Sequence, residues 1–130
     1  MTRKEAREFL MKIIFQMETR NDFDESNIQI YLTQESHRGQ EDYLTTNLTY
    51  LCNNKDQVDK TINKYSPKWK TNRMAKVDLA ILRLAICEFN SCDDIPTSVT
   101  INECVELAKV YSSDEAAPFI NGVLGGIVNE

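Results

Sequence analysis

One segment limits the fold more than any other. Residues 75–89, AKVDLAILRLAICEF, are apolar on nearly every side of a helical projection, with Asp78, Arg83 and Glu88 as the exceptions after Lys76 at its start. A helix that is greasy all round is stable only when it is surrounded, so a helix from about Met74 to Asn90 needs other helices packed against it. Arg83 and Glu88 also rule this stretch out as a standard membrane span.

The rest of the chain supplies those helices. Phe9, Leu10, Ile13, Ile14 and Met17 recur at the spacing of one buried face and predict a first helix over Thr2 to Thr19. A weaker helix is readable over Glu25 to His37 from Ile28, Tyr31 and Leu32, with Gly39 as its stop. Residues 41–65 carry a long apolar stripe that Asn53 and Asn54 divide. Ser66 before Pro67 reads as the start of a short helix anchored by Trp69. Two further helices are expected near Ser98 to Tyr111 and Ser113 to Val128. No alternating run bounded by turn residues makes a strand or hairpin. The fold class is therefore all-α, with about seven helices.

Composition enters where it excludes alternatives. With 42% hydrophobic and 27% charged residues, the chain lies within the globular range, and 130 residues suffice for one core but not two. A single domain over 1–130 follows. The N-terminus lacks the apolar core of a signal peptide, so a soluble, cytoplasmic protein is expected, with no membrane partner. Cys52, Cys87, Cys92 and Cys104 form no CxxC pair and have one histidine, His37, to assist them. They read as small buried hydrophobes in a reducing compartment, with no metal and no cofactor. No nucleophile with its base, paired-carboxylate motif or phosphate-cradling glycine loop is present, so no enzyme is expected.

The net charge of −5 argues against a nucleic-acid partner until its distribution is considered. Residues 1–20 and 55–76 carry +2 and +5, whereas 21–54 and 77–130 carry −5 and −7. One basic and one acidic surface would produce such segregation, and so would chance among solvated helix faces.

Four blocks in register are similar to the NusB family of transcription antitermination factors. They are Trp69 with Arg73, DLAILRLAICEF at 78–89, INECVELAK at 101–109 and FINGVL at 119–124. The N-terminal Arg3-x-x-x-Arg7 extends the resemblance to the start, while residues 21–65 match only in length and helical character. The resemblance implies two small helical bundles packed across one another. It also implies a bacterial role in ribosomal RNA transcription, within the RNA polymerase antitermination complex. The partners it implies are boxA RNA and the small-subunit ribosomal protein that doubles as NusE. The alternative is a NusB-like interaction module or homodimer that binds no RNA.

Residue by residue, the first helix carries the RNA argument. Arg7, Met11 and Phe15 fall in a row at i, i+4 and i+8, beside Lys4 and Lys12. Cations that neutralise phosphate, with a ring that stacks on a base, suit single-stranded RNA. From the residues alone, a helix buried on two sides would make Phe15 core; the resemblance favours RNA for this region. Only Arg3, Lys4 and Arg7 match the family's arginine-rich start, and Glu5 and Glu8 offset them. On this reading Arg7→Glu with Phe15→Ala weakens RNA binding and leaves helix content unchanged.

Phe119 and Asn121 match family positions near the RNA surface, with core filling and a local turn bond as their plainer readings. Gly122 costs about 1 kcal/mol against Ala inside a helix, so close packing or a contact should compensate. Asp78 matches an acidic family position on the side of the ribosomal-protein partner, or simply stabilises a helix N-terminus. Arg83 needs a counter-charge from another element, and Glu103 is the candidate. In the lysine-rich segment 55–76, Lys64, Lys68, Lys70 and Lys76 read as a solvated face, or as an extension of the basic surface, outside the site itself.

Overall fold

The computed structural model describes all 130 residues and contains six α-helices and no strand. Helix α1 spans Arg3–Arg20. Thr2 and Glu5 close a capping box at its start, the Thr2 hydroxyl accepting from the Glu5 N–H at 3.1 Å and the Glu5 carboxylate from the Thr2 N–H at 2.8 Å. Asn21, left-handed at φ 51°, ends it. A short 3-10 turn, Glu25–Asn27, leads into α2, Ile28–Leu32, which is shorter than the expected helix to His37. Helix α3 runs Glu41–Tyr65 and is kinked into two segments at one non-helical residue, Asn54. That residue is where the sequence suggested a division; the Asn54 amide donates to the Tyr50 carbonyl at 2.9 Å and so spans the break.

The seventh helix is absent. Residues 66–70 turn instead, with the Ser66 hydroxyl donating to the Trp69 carbonyl, and a 3-10 turn at Thr71–Arg73 follows. Too few residues separate Pro67 from that turn for a helical hydrogen-bond ladder to form. Helices α4, Lys76–Ser91, α5, Thr97–Tyr111, and α6, Ala116–Val128, complete the chain.

Helix α4 is the hub: it packs on α1, α3, α5 and α6, as its all-round apolarity requires. The buried apolar side chains form one cluster to which every α-helix contributes. Gly126 has a packing role, because a Cβ there would lie 3.0 Å from the Tyr65 ring, and Gly allows α6 to approach α3. A Cβ at Gly122 would meet nothing within 4 Å, so the close packing expected there lies one turn later.

Two buried ion networks tie the helices together. Arg83, 2% exposed, donates through Nε and Nη2 to both Asp59 oxygens at 2.9 Å and through Nη1 to Glu18 at 2.8 Å. Its counter-charges therefore come from α1 and α3, not from Glu103 on α5. The second network centres on Glu88, which is 1% exposed on α4. Arg7 donates to its two oxygens at 2.7 and 3.2 Å, Tyr43 at 2.5 Å and Thr100 at 2.8 Å, joining α1, α3 and α5 to the hub. Burial, reinforced by the charge of Glu88, pushes the Tyr43 phenol up and keeps it a donor.

All four cysteines are free, with Cys87 and Cys104 buried. Burial raises the half-buried Cys52 thiol to about 11, so it carries no thiolate at neutral pH. No helix is long and apolar enough to cross a membrane.

Candidate nucleic-acid interface

The buried networks decide which cations reach solvent. Arg7 does not: at 4% exposure its guanidinium is committed to Glu88, and it is withdrawn from the RNA-contacting set. Met11, expected in the same exposed row, is also 4% exposed. The physical reason is that α1 contacts both α4 and α3, so its buried arc is wider than one apolar stripe. Arg7→Glu would set a second carboxylate against Glu88 and disrupt the scaffold, rather than leave it intact as the sequence suggested.

The other α1 positions stay at the surface. Arg3 lies over the Tyr43 ring at 4.3 Å and donates to Gln40 at 2.9 Å, with no acid paired to it. Lys4 is exposed and lines a small cleft with Glu8, Glu103, Glu106 and Val110, at whose floor the 4% of Arg7 that is accessible lies. Lys12 pairs with Glu8 at 3.4 Å, half exposed, and its ammonium stands 5.6 Å from the Tyr111 ring centre. A pair so exposed is worth little and yields readily to a phosphate. Phe15 is 37% exposed and forms an apolar groove of about 280 Å³ with Lys12, Val77 and Tyr111. It is neither sealed core nor a free ring.

Phe119 and Asn121 project from α6. Asn121 is exposed, and half-buried Phe119 lines a second cleft, of about 430 Å³, with Trp69, Arg73, Lys68 and Asp78. The Ser112 hydroxyl donates to Asp78 at 2.6 Å and fixes the α5–α6 junction onto the first turn of α4. The two grooves are neighbours, since Val77 and Tyr111 line one while Asp78 and Ser113 line the other. Phe15, Asp78 and Phe119 thus share one end of the molecule. Trp69, Arg73 and Lys68 also line this cleft, and Trp69 is 48% exposed where the sequence predicts a hydrophobic anchor. An aromatic ring flanked by Lys68, Lys70 and Arg73 was the signal available.

Six helices around one buried hub, with exposed rings beside cations on open grooves, define an all-helical protein whose candidate surface lies on helix ends rather than in an enclosed cavity. The chain belongs to the NusB family, whose model matches residues 4–129. It is 45% identical over 131 residues to the transcription antitermination protein NusB of Alkaliphilus oremlandii, covering 100% of this chain and 95% of that one. Among solved structures it is similar to T. maritima NusB, with a TM-score of 0.89 and 33% identity over 100% of this chain and 92% of that one. It also resembles a chain in the crystal structure of antitermination factors NusB and NusE in complex with dsRNA. That match has a TM-score of 0.83 over 98% and 96% of the two chains, and at 20% identity it establishes the fold alone.

Proposed function

We propose that this chain is a transcription antitermination factor, a non-catalytic cytoplasmic adaptor. It binds boxA-type RNA together with the small-subunit ribosomal protein that acts as NusE, within the RNA polymerase antitermination complex. The observation that carries this reading is the full-length likeness to relatives named transcription antitermination protein NusB. The whole of 1–130 acts as one RNA- and protein-binding domain. Its two-bundle organisation, α1–α3 against α4–α6, is part of the same reading.

On this reading the RNA contacts come from Arg3, Lys4, Lys12, Phe15, Phe119 and Asn121. Cations there neutralise phosphates, and Phe15 offers a ring worth about 1 to 3 kcal/mol per stacked base. Asp78, with the net −7 of residues 77–130, complements a basic ribosomal protein.

The test is a titration of single-stranded boxA-type RNA with and without the ribosomal protein, at two salt concentrations. Binding that weakens as salt rises is expected, because phosphate contacts release counterions. Absent or salt-independent binding in both arms would point to the interaction module or homodimer. The double variant Lys4→Glu with Phe15→Ala should keep the wild-type melting temperature and lose about tenfold or more in RNA affinity.

Gly122 supplies an independent expectation. Nothing in the fold occupies the space of a Cβ there, so Gly122→Ala should raise stability by about 1 kcal/mol in a thermal melt. Lowered RNA affinity in that stabilised variant would mark an approach of RNA to the α6 backbone.

A further inference from the structure

The second half of α3 carries cations that neither the buried scaffold nor the proposed function uses. Beyond the Asn54 kink, Lys60 and Lys64 stand one turn apart on the exposed face, about 6 Å along the axis, and Lys70 follows in the turn after the helix. Among the cations of residues 55–70, only Lys55 and Lys64 have a carboxylate partner. Lys70 instead donates to the Asn63 and Ser66 carbonyls at 3.0 and 3.4 Å, which caps the end of α3 and holds the charge in place without neutralising it. Lys64 pairs with Glu130, but the two side chains are 63% and 57% exposed, and a pair so open to water exchanges readily for a phosphate. Asp59 is turned inward, both its oxygens held by Arg83, so Asp56 is the exposed acid of the segment.

This ridge adjoins the helix that carries Asn121. Gly126 of α6 lies against the Tyr65 ring, Lys64 reaches Glu130 just past the end of α6, and exposed Asn121 lies about 8 Å nearer the start of that helix. No ring is free along the ridge, because Tyr65 packs on Gly126 and has the Lys64 ammonium 5.3 Å from its centre. Cations without a stacking platform hold a strand by its phosphates and read no bases. We infer that Lys60, Lys64 and Lys70 form a phosphate track for the RNA that flanks the boxA-type element, whatever the sequence of that RNA. The track rests on the RNA-binding reading and adds a surface to it, separate from the boxA contacts and from the side of the ribosomal protein.

The test compares fluorescein-labelled RNAs by anisotropy: a short one limited to the boxA-type element, and the same element extended at both ends by unstructured flanks of either of two unrelated sequences. Each is titrated with the full chain over a range of salt, with and without the ribosomal protein. The extended RNAs should bind more tightly than the short one and equally to each other. Their slope of log affinity against log salt should be steeper by about 2, three contacts to a single strand at about 0.7 each. Lys60→Gln with Lys64→Gln should remove about 1.4 of that slope and leave the short RNA and the melting temperature at wild-type values. Glu130→Gln, which frees Lys64, should tighten the extended RNAs alone.

Equal affinity and equal slope for short and extended RNAs would refute the track and leave the RNA reading intact, as would a gain from the flanks that survives the double lysine variant. A gain from one flank sequence and not the other would also overturn it, because phosphates carry no sequence. Binding to vesicles of anionic phospholipid that the double variant loses, with no gain from the flanks, would assign the ridge to a membrane surface and refute the proposal. RNA that binds in no arm would overturn the functional reading and the track together.

Discussion

Glu88→Ala is expected to lower the unfolding free energy by about 3 to 5 kcal/mol, the range for removing one partner of a buried pair. It leaves the Arg7 guanidinium, 4% exposed, without a counter-charge, and strips Tyr43 and Thr100 of their acceptor. The comparison that isolates the mechanism is Arg7→Met combined with Glu88→Leu. A double variant with no buried charge should recover much of the loss, because an apolar replacement of a buried pair is often neutral or better. Urea unfolding followed by circular dichroism measures both. If Glu88→Ala were as stable as wild type, the four-helix network would not hold the fold together.

Arg83→Met is expected to cost a similar amount, about 3 to 5 kcal/mol, by orphaning Asp59 and Glu18. This variant also has a pH signature. Burial works against the charge on Glu18, yet the hydrogen bond and charge of Arg83, helped by Lys76, outweigh it and hold the carboxyl below its usual range. A carboxylate whose folded value is lowered contributes stability above its unfolded value and loses it as the pH falls. Wild-type stability should therefore decline below about pH 4, and Arg83→Met should flatten that part of the decline. Both effects concern the scaffold, so RNA affinity measured on the folded fraction should stay near wild type.

What the sequence disclosed and what it withheld divide along sequence separation. Local period made α1, α3, α4, α5 and α6 legible to within a few residues, and Asn54 was legible as a break because an asparagine pair interrupts the stripe. The need of Arg83 for a remote counter-charge followed from its apolar helix. Which acid supplied it did not, because Asp59 and Glu18 lie 24 and 65 positions away. Arg7 misled for the same reason. A basic residue beside Lys4 near the start of a helix looks solvated, and only the Glu88 carboxylate, 81 positions on, makes it structural. Trp69 and Phe119 belong to one cleft only because the α3–α4 turn folds against α6, which no local pattern encodes.

With the proposed RNA contacts, helix α1 serves two purposes. Its inner arc, through Arg7 and Met11, fixes the hub, while its outer positions, Lys4, Lys12 and Phe15, remain at the surface. Backbone NMR of the full chain during addition of single-stranded boxA-type RNA, in the presence of the ribosomal protein, tests this division directly. Shifts are expected at residues 3–4, 12–15 and 119–122, with none around Arg83, Asp59 and Glu18. Shifts confined to the surroundings of Arg83, or none at saturating RNA, would contradict it.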